Sequence, residues 1–200
     1  MIGVIDYDGG NTKSILNVLN RCGIEYVVTN DADQISICKK LILPGVSNFS
    51  FCIESLKKKK LDQLIINHAV KEKKLFLGIC SGMQILGSFS EEGNTKGLNI
   101  IPGKIKKIPV EKSRIVPHVG WNKVKFKNSF ITDGIENNSR FYFCHSYFYE
   151  PENKNHCLMS TFYGLEFCTG INSENIFGIQ FHPEKSLSDG MKIIKNFSKY

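Results

Sequence analysis

The sequence has 200 residues, 42% of them hydrophobic and 22% charged, which fits one domain with a sizeable core and excludes intrinsic disorder or fibrous repeats as its main character. Its 26 basic and 19 acidic residues leave a net charge of +7, carried largely by lysine clusters at 57–60, 71–74 and 104–107. Because no aromatic residues are interleaved with these lysines, they indicate a solvated surface, and we expect no nucleic-acid partner.

The first ninety residues alternate strand signals with helix signals. Apolar and β-branched runs predict strands at Ile2–Ile5, Ile24–Thr29, Lys40–Leu43 and Leu75–Ile79. Two helical stripes lie between them, one made of Ile15, Val18, Leu19 and Cys22 and the other of Leu61, Leu64, Ile65, His68 and Ala69. Asn11 can cap the first helix and Gly23 can end it. Strands that alternate with helices predict parallel pairing, with helices on both faces of the sheet.

From about Gly97 onward, short strand-like runs separated by turns predict a more antiparallel half. These runs are Lys104–Val110, Lys123–Phe126, Arg140–Cys144, Cys157–Phe162 and Ile176–Phe181. A final helix is predicted over Asp189–Tyr200. Since no repeat or linker interrupts the chain, we predict that residues 1–200 form a single α/β domain. Its fold class is an open mixed, mostly parallel sheet flanked by helices, with a more antiparallel C-terminal half.

Targeting signals and metal-binding patterns are not found in the sequence. No apolar run approaches the roughly 18 residues that a membrane-spanning helix needs. The opening MIGVIDYDGG lacks a charged region before its apolar stretch, so it is not predicted to be a signal peptide. The seven cysteines show no C-x-x-C spacing, which predicts mostly small buried hydrophobes in a reducing cytosol. We therefore expect a cytoplasmic protein with no membrane contact, no metal and no cofactor.

The strongest chemical signal lies between Leu75 and Leu86, where an apolar strand runs into G-x-C-x-G and then into an apolar helix. This pattern is typical of a nucleophile elbow, a sharp turn that exposes its central residue above the sheet, and it makes Cys80 the candidate nucleophile. A helix N-terminus would favour the Cys80 thiolate, and the backbone N–H of Ser81 could bind an oxyanion. A buried core cysteine between strand and helix is the competing interpretation.

A cysteine nucleophile needs a base, usually a histidine that a third group orients. His182 ends an apolar strand, at the edge where the active sites of open α/β sheets lie. Glu184 follows two residues later, so in an extended chain it points to the same side and can hold the imidazole, while Pro183 stiffens the link. An isolated histidine at a strand end is more often an ordinary hydrogen-bonded residue, but its combination with the elbow favours a Cys-His-Glu triad.

The elbow at Gly78–Gln84 and the H-P-E segment at His182–Glu184 together resemble the class I glutamine amidotransferases. Within that class the chain is most similar to the glutaminase subunits of imidazole glycerol phosphate synthase, over essentially all 200 residues. The segments that carry this closer similarity are Val4–Tyr7, Gly10–Asn11, Leu43–Val46, Pro117–Asn122, Phe143–Tyr147 and Gly178–Ser186. The resemblance implies a flavodoxin-like core and an enzyme of histidine biosynthesis that hydrolyses glutamine.

The resemblance also implies roles for individual residues. Cys80 would attack the carboxamide of glutamine, His182 would protonate the departing ammonia, and Glu184 would orient His182. The residues implied in binding glutamine or its oxyanion are Gly45, Val46, Ser81, Gln84, His145, Ser146 and Tyr147. The backbone of Gly45 and Val46 would supply one oxyanion donor only after a peptide rearrangement. Ammonia would pass to a separate synthase subunit, a (β/α)₈ barrel in a heterodimer.

Three residues fall on segments that in the family face the synthase: Asn11, Trp121 and Lys185. The chain departs from the family pattern nearby, with Asp8-Gly9 in place of Gly-Met and Ser47 in place of glycine. Ser81 also stands where the family usually has leucine. None of these departures lies in the triad, but the first three concern the partner. A related glutaminase subunit that supplies ammonia to a cell-surface sugar amidination synthase is therefore the alternative function.

Two other classes of function are compatible with an exposed cysteine on this fold. One is a stand-alone cysteine hydrolase, which Gln84 and the H-P-E segment disfavour. The other is a non-catalytic sensor with an oxidisable cysteine, which has no need of an oriented base. Glu91 and Glu92 are predicted to lie in a solvated loop, outside any site.

Overall fold

The computed structural model describes residues 1–111 and 115–200. The strands are β1 (Ile2–Ile5), β2 (Tyr26–Thr29), β3 (Lys40–Gly45), β4 (Leu75–Cys80), β5 (Phe89–Ser90), β6 (Thr95–Lys96), β7 (Gly103–Lys107), β8 (His118–Lys123), β9 (Lys125–Phe126), β10 (Arg140–His145), β11 (Tyr147–Pro151), β12 (Cys157–Phe162), β13 (Glu166–Ser173) and β14 (Ile176–Ile179).

The α-helices are α1 (Thr12–Arg21), α2 (Ala32–Ile37), α3 (Phe49–Lys58), α4 (Leu61–Ile66), α5 (Ser81–Gln84) and α6 (Leu187–Lys199). Single 3₁₀ turns occur at Glu92–Asn94, Phe130–Thr132, Lys154–His156 and Pro183–Lys185, and a π-helical segment spans Asn67–Lys71. Among the described residues, no helix is long and apolar enough to cross a membrane.

Five parallel strands form one half of the main sheet, in the order β2-β1-β3-β4-β14. Helices connect most of these strands, as parallel pairing requires. Every residue of β4 is buried, which explains its unbroken apolar sequence LFLGIC. Since β4 lies between β3 and β14, the C-terminal ends of these three strands meet at one edge of the sheet.

The other half of the main sheet is largely antiparallel. It continues from β14 through β13, β11 and β7 to β5 and β6, while β12 and β9 branch from β13. Only the short pairing of β5 with β7 is parallel within the described part of this half. Strands β8 and β10 form a separate antiparallel pair. The predicted combination of a parallel core with a more antiparallel C-terminal half is confirmed.

Alternate residues of the central strands pack on opposite faces of the sheet, as the two-residue period of a strand requires. Leu41 and Leu43 of β3 and Phe76 of β4 belong to the cluster covered by α3 and α4. Ile42 and Leu77 point the other way, into the cluster covered by α1 and α6. The parallel half of the sheet therefore has a core on each side, which holds its edge rigidly in place.

The predicted elements agree well with the observed ones in the parallel half. β1 has its predicted bounds, and β4 extends one residue further than predicted, to Cys80. The apolar helix expected after Cys80 is wrong, because α5 ends after four residues. The carbonyls of Ile85 and Leu86 accept hydrogen bonds from the N–H groups of Leu98 and Ile100, each at 2.8 Å, so these distant backbone groups replace a helix continuation.

Gly82 lies where α5 passes over β3. A Cβ at this position would lie 2.0 Å from the carbonyl oxygen of Leu43, a backbone atom within the sheet. Since that oxygen cannot move without displacing β3, only glycine lets the turn after Cys80 pack against the neighbouring strand.

We expect Gly82→Ala to lower the free energy of unfolding by about 3 kcal/mol, because the added methyl group overlaps the backbone. Gly23→Ala is the matched control: its φ of +65° strains a side chain, but nothing lies within 4 Å of the added Cβ. The control should cost about 1–2 kcal/mol. Urea unfolding followed by circular dichroism measures both, and equal losses would contradict the close approach as the cause.

Candidate active site

Cys80 occupies a strained turn between β4 and α5. Its φ of 54° and ψ of −114° are unusual for a residue with a side chain, and the residue is 5% exposed. The sharp strand-to-helix turn predicted from G-x-C-x-G is thus present, but it leaves the Cys80 side chain buried and not exposed above the sheet. Because α5 has only four residues, its dipole favours a thiolate at Cys80 less than the long helix indicated by the sequence would. The side chains around the sulfur therefore matter more for its chemistry.

His182 lies between Cys80 and Glu184. Its Nδ1 is 2.8 Å from Oε1 of Glu184, and the two side chains are 6% and 7% exposed. Burial by itself lowers the pKa of His182, but hydrogen bonds with Cys80 and Glu184, together with their negative charges, raise that pKa to about 10. The imidazole therefore carries a positive charge at neutral pH. The second oxygen of Glu184, Oε2, is buried and has no hydrogen-bond partner among the described residues.

Ser186 fixes the segment that carries His182. Its Oγ donates to the carbonyl of His182 at 2.6 Å and accepts from the N–H of Tyr142 at 3.0 Å. The N–H of His182 in turn donates to the carbonyl of Tyr142 at 2.9 Å. The histidine follows β14 in the chain but is anchored to β10, so both the main sheet and the β8–β10 pair determine its position.

Glu184→Gln should lower the pKa of His182, because the amide keeps an acceptor but removes the negative charge. Folding raises the pKa of His182 from 6.5 to about 10, so its contribution to stability is fully present below pH 6.5 and is lost as the pH rises toward 10. The variant should therefore lose less stability than the natural chain between pH 7 and 10. Nuclear magnetic resonance titration of the imidazole and thermal unfolding across this range measure both effects. An unchanged His182 titration would refute the charge coupling.

A cavity of about 230 Å³ lies beside Cys80. It is lined by Val46, Ser47, Asn48, Cys80, Ser81, Gln84, Glu92, Pro117, Cys144, His145, Ser146 and Tyr147. Six of the seven residues predicted to bind glutamine or its oxyanion are in this set. The seventh, Gly45, pairs with Cys80 in the ladder between β3 and β4. The structure therefore gathers all seven next to the candidate nucleophile.

The solvated loop predicted for Glu91 and Glu92 is found at Glu91, which is exposed in a turn, but not at Glu92, which is half-buried in a 3₁₀ turn. Oε2 of Glu92 accepts the N–H of Phe49 at 2.8 Å, at the start of α3, where a helix has N–H groups without internal partners. Oε2 of Glu91 accepts the N–H of Lys107, also at 2.8 Å. Glu92 lines the cavity as well, which places a carboxylate beside the candidate site.

The backbone of Val46 and Ser47 is hydrogen-bonded away from the cavity. Both N–H groups donate to the carbonyl of Gly9, at 2.9 and 3.2 Å. The carbonyl of Ser47 accepts the hydroxyl of Ser81 at 2.6 Å. In this arrangement neither N–H is free to bind an oxyanion, and the departures at positions 47 and 81 are in direct contact.

Gln180 was missed by the sequence analysis. It is fully buried, and its Nε2 lies 3.6 Å from Sγ of Cys80. Its Oε1 accepts from Nε2 of Gln84 at 2.9 Å, and the same nitrogen of Gln84 donates to the carbonyl of Tyr147 at 3.0 Å. A glutamine inside the apolar run Ile176–Phe181 was the available signal, because a buried amide requires hydrogen-bond partners.

Both ring nitrogens of His145 are committed to protein partners. Nδ1 lies 2.7 Å from the carbonyl of Tyr147, and Nε2 lies 3.1 Å from Nδ1 of His118. Burial lowers the pKa of His145 to about 3 and that of His118 to about 4, so both rings are neutral at physiological pH. His145 lines the cavity, but its ring nitrogens are occupied by protein partners, so its predicted role in holding glutamine stays a prediction.

Two of the three residues predicted to face a partner, Trp121 and Lys185, pack on the same side chain of the β8–β10 pair. Trp121 is 38% exposed and packs edge-to-face on Tyr142 at 6.1 Å, and Nζ of Lys185 lies 5.2 Å from the centre of the same ring. Tyr142, which the sequence analysis missed, therefore joins the two. Asn11 is exposed and caps α1, which contacts the turn at Pro183–Lys185.

All seven cysteines are free, and four of them are buried: Cys38, Cys52, Cys80 and Cys168. Across residues 1–111 and 115–200, no group of three or more His, Cys, Asp or Glu side chains is arranged to hold a metal ion.

The fold and the cysteine-histidine-glutamate cluster define a class of protein. A family model described as "Glutamine amidotransferase class-I" matches residues 3–199. The solved structure of PurLQS from Thermotoga maritima matches with a TM-score of 0.74 at 20% identity, over 100% of this chain and 97% of that one. At this level of identity the likeness to the solved structure shows a shared fold.

Two relatives match along their whole length. The chain is 45% identical over 201 residues to "Imidazole glycerol phosphate synthase subunit HisH 2" of Methanococcus maripaludis, covering 100% of this chain and 99% of the relative. It is 46% identical over 201 residues to "Imidazole glycerol phosphate synthase subunit HisH" of Methanocaldococcus jannaschii, covering 98% of each. The chain therefore belongs to the class I glutamine amidotransferase family, in the branch of the HisH subunits.

Proposed function

We propose that this chain is the glutaminase subunit of an imidazole glycerol phosphate synthase. Residues 1–200 act as one cytoplasmic domain that hydrolyses glutamine and passes ammonia to a separate synthase subunit in histidine biosynthesis, without a cofactor. The observation that carries the proposal is the buried His182 between Cys80 and Glu184, with Nδ1 2.8 Å from the Glu184 carboxylate, beside a cavity of about 230 Å³. The full-length similarity to HisH subunits supports the pathway.

The chemistry follows from the charges of the triad. The Cys80 thiolate attacks the carboxamide carbon of glutamine, and the C–N bond breaks as His182 transfers its proton to the departing nitrogen, which leaves as ammonia. Water then attacks the thioester and gives a proton to the neutral imidazole, the C–S bond breaks, and glutamate and the thiolate are released. Glu184 holds the imidazole in position and stabilises its charged form.

The cavity offers complementary groups for glutamine. Glu92 presents a carboxylate that suits the α-amino group, and Ser146 and Tyr147 line the same space. The N–H of Ser81, directly after the nucleophile, is placed to bind the developing oxyanion. Gly45 and Val46 supply the second donor once the hydrogen bond of the Val46 N–H to Gly9 is released.

The synthase subunit, a (β/α)₈ barrel in a heterodimer, docks on the surface that carries Trp121, Lys185 and Asn11. A half-exposed tryptophan braced by Tyr142 is the type of residue that anchors protein interfaces. The excess of lysines can steer the chain toward an acidic rim of the synthase barrel. Trp121, once the synthase covers it, contributes more to affinity.

Reconstitution with the histidine-pathway synthase of the same organism tests the proposal. Glutamine should support formation of imidazole glycerol phosphate and the aminoimidazole carboxamide nucleotide. Cys80→Ala should reduce this glutamine-dependent rate by more than about 10³-fold while the rate with added ammonium salt is retained, because only the nucleophile is lost. Cys22→Ala, which removes a thiol from the end of α1, is the matched control and should behave as the natural chain.

Failure with this synthase, combined with glutamine-dependent transfer into a sugar-amidinating synthase, would replace the histidine pathway by the alternative. Retained glutamine-dependent turnover in Cys80→Ala would reject the nucleophile itself.

The isolated chain should hydrolyse glutamine slowly, because the N–H groups of Val46 and Ser47 are both donated to Gly9. Loss of one oxyanion donor costs roughly 10²–10³ in rate, so addition of the liganded synthase should raise glutamate release by about that factor. A coupled assay for glutamate with and without the synthase measures the ratio. Full turnover by the chain alone would instead favour a stand-alone hydrolase.

A further inference from the structure

Gln180 has contacts that a residue filling the core does not need. It is fully buried, and its side-chain nitrogen lies 3.6 Å from the sulfur of Cys80. Resting on the proposed role of Cys80 as nucleophile, we propose that Gln180 is a further catalytic residue, whose side-chain N–H donates to the Cys80 sulfur and stabilises its thiolate form. A donor that points at a buried anion favours the charged form, and here the donor belongs to a neutral amide.

The orientation of the Gln180 amide follows from its neighbours. The carbonyl of Tyr147 can only accept, so the group of Gln84 that meets it at 3.0 Å must be the NH₂. The same NH₂ lies 2.9 Å from the side chain of Gln180, which must therefore offer its oxygen there. The NH₂ of Gln180 is left on the side of Cys80. One backbone carbonyl thus determines which end of each amide faces which partner.

A second set of bonds holds that carbonyl from the other side. Nδ1 of His145 lies 2.7 Å from it and must donate, so Nε2 of this neutral ring accepts from Nδ1 of His118 at 3.1 Å. Nε2 of His118 then accepts from Nδ2 of Asn122 at 3.3 Å. Every donor and acceptor in the series is matched with a single tautomer for each ring. The orientation at the sulfur is therefore supported as far away as β8, the strand that carries Trp121.

Alkylation of Cys80 by iodoacetamide tests the proposal without glutamine or a partner. The full-length chain is treated at pH 7, and the modified peptides are quantified by mass spectrometry, with half-buried Cys22, which lies outside the cavity lining, as an internal reference. Gln180→Met keeps an unbranched side chain of similar length but cannot donate. We expect alkylation of Cys80 to slow about tenfold in this variant, the effect of one pH unit in thiolate population, while Cys22 reacts at its usual rate.

Two further variants separate the donor from packing. Gln180→Glu keeps the oxygen that accepts from Gln84 but loses the N–H, so it should also slow alkylation of Cys80. This variant replaces Gln180→Met in the test if Gln180→Met does not fold. Gln63→Glu makes the same chemical change at an exposed position on α4 and should have no effect. Natural alkylation rates in folded Gln180→Met or Gln180→Glu would overturn the proposal. A different outcome separates the two proposals. If alkylation is slow in the Gln180 variants but the natural chain never hydrolyses glutamine, even with a synthase, the proposed function is overturned and the role of Gln180 stays intact.

Discussion

Parallel pairing of β4 with β3 on one side and β14 on the other is the constraint on which the site depends. The register sets Gly45 of β3 beside Cys80, and it ends β14 at the same edge, one residue before Gln180. Because each strand is buried on both faces, a shift of register would expose an entire row of apolar side chains. The same packing that stabilises the core therefore determines which groups surround the sulfur.

Three buried histidines near this edge have opposite charge states, and their partners explain why. At His182, hydrogen bonds and electrostatic interactions with Cys80 and Glu184 outweigh the effect of burial and raise the pKa of the imidazole. His145 and His118 meet a carbonyl, an amide and each other. Burial outweighs the opposing effect of the hydrogen bond between His145 and Tyr147, so the pKa values of both rings are lowered and both remain neutral. The charge of His182 further disfavours protonation of His145. One cation and two neutral rings thus coexist within a short distance.

The parts of the site that lie in continuous sequence could be predicted, and those made by distant contacts could not. Cys80 and His182 stand in short motifs whose strand and turn context is local, so their neighbourhood was expected from the sequence. Gln180 and Glu92 acquire their positions only when other strands and α3 pack beside them. The short length of α5 has the same origin, since hydrogen bonds from residues 98–100 end it. α3 could have been predicted, because Phe49, Cys52, Ile53 and Leu56 form an apolar stripe at helical spacing.

The contact between Ser47 and Ser81 has a consequence for how this chain can be compared with its relatives. The two residues depart from the family pattern separately in the sequence, yet the hydroxyl of one is bonded to the carbonyl of the other at 2.6 Å. A leucine at position 81 would remove that donor and bring a larger apolar side chain to the same carbonyl. The acceptor is the backbone carbonyl of residue 47, which a glycine would offer equally. The bond is therefore specified by the side chain at position 81 alone: an exchange at position 47 keeps it, and an exchange to leucine at position 81 leaves that carbonyl without this donor.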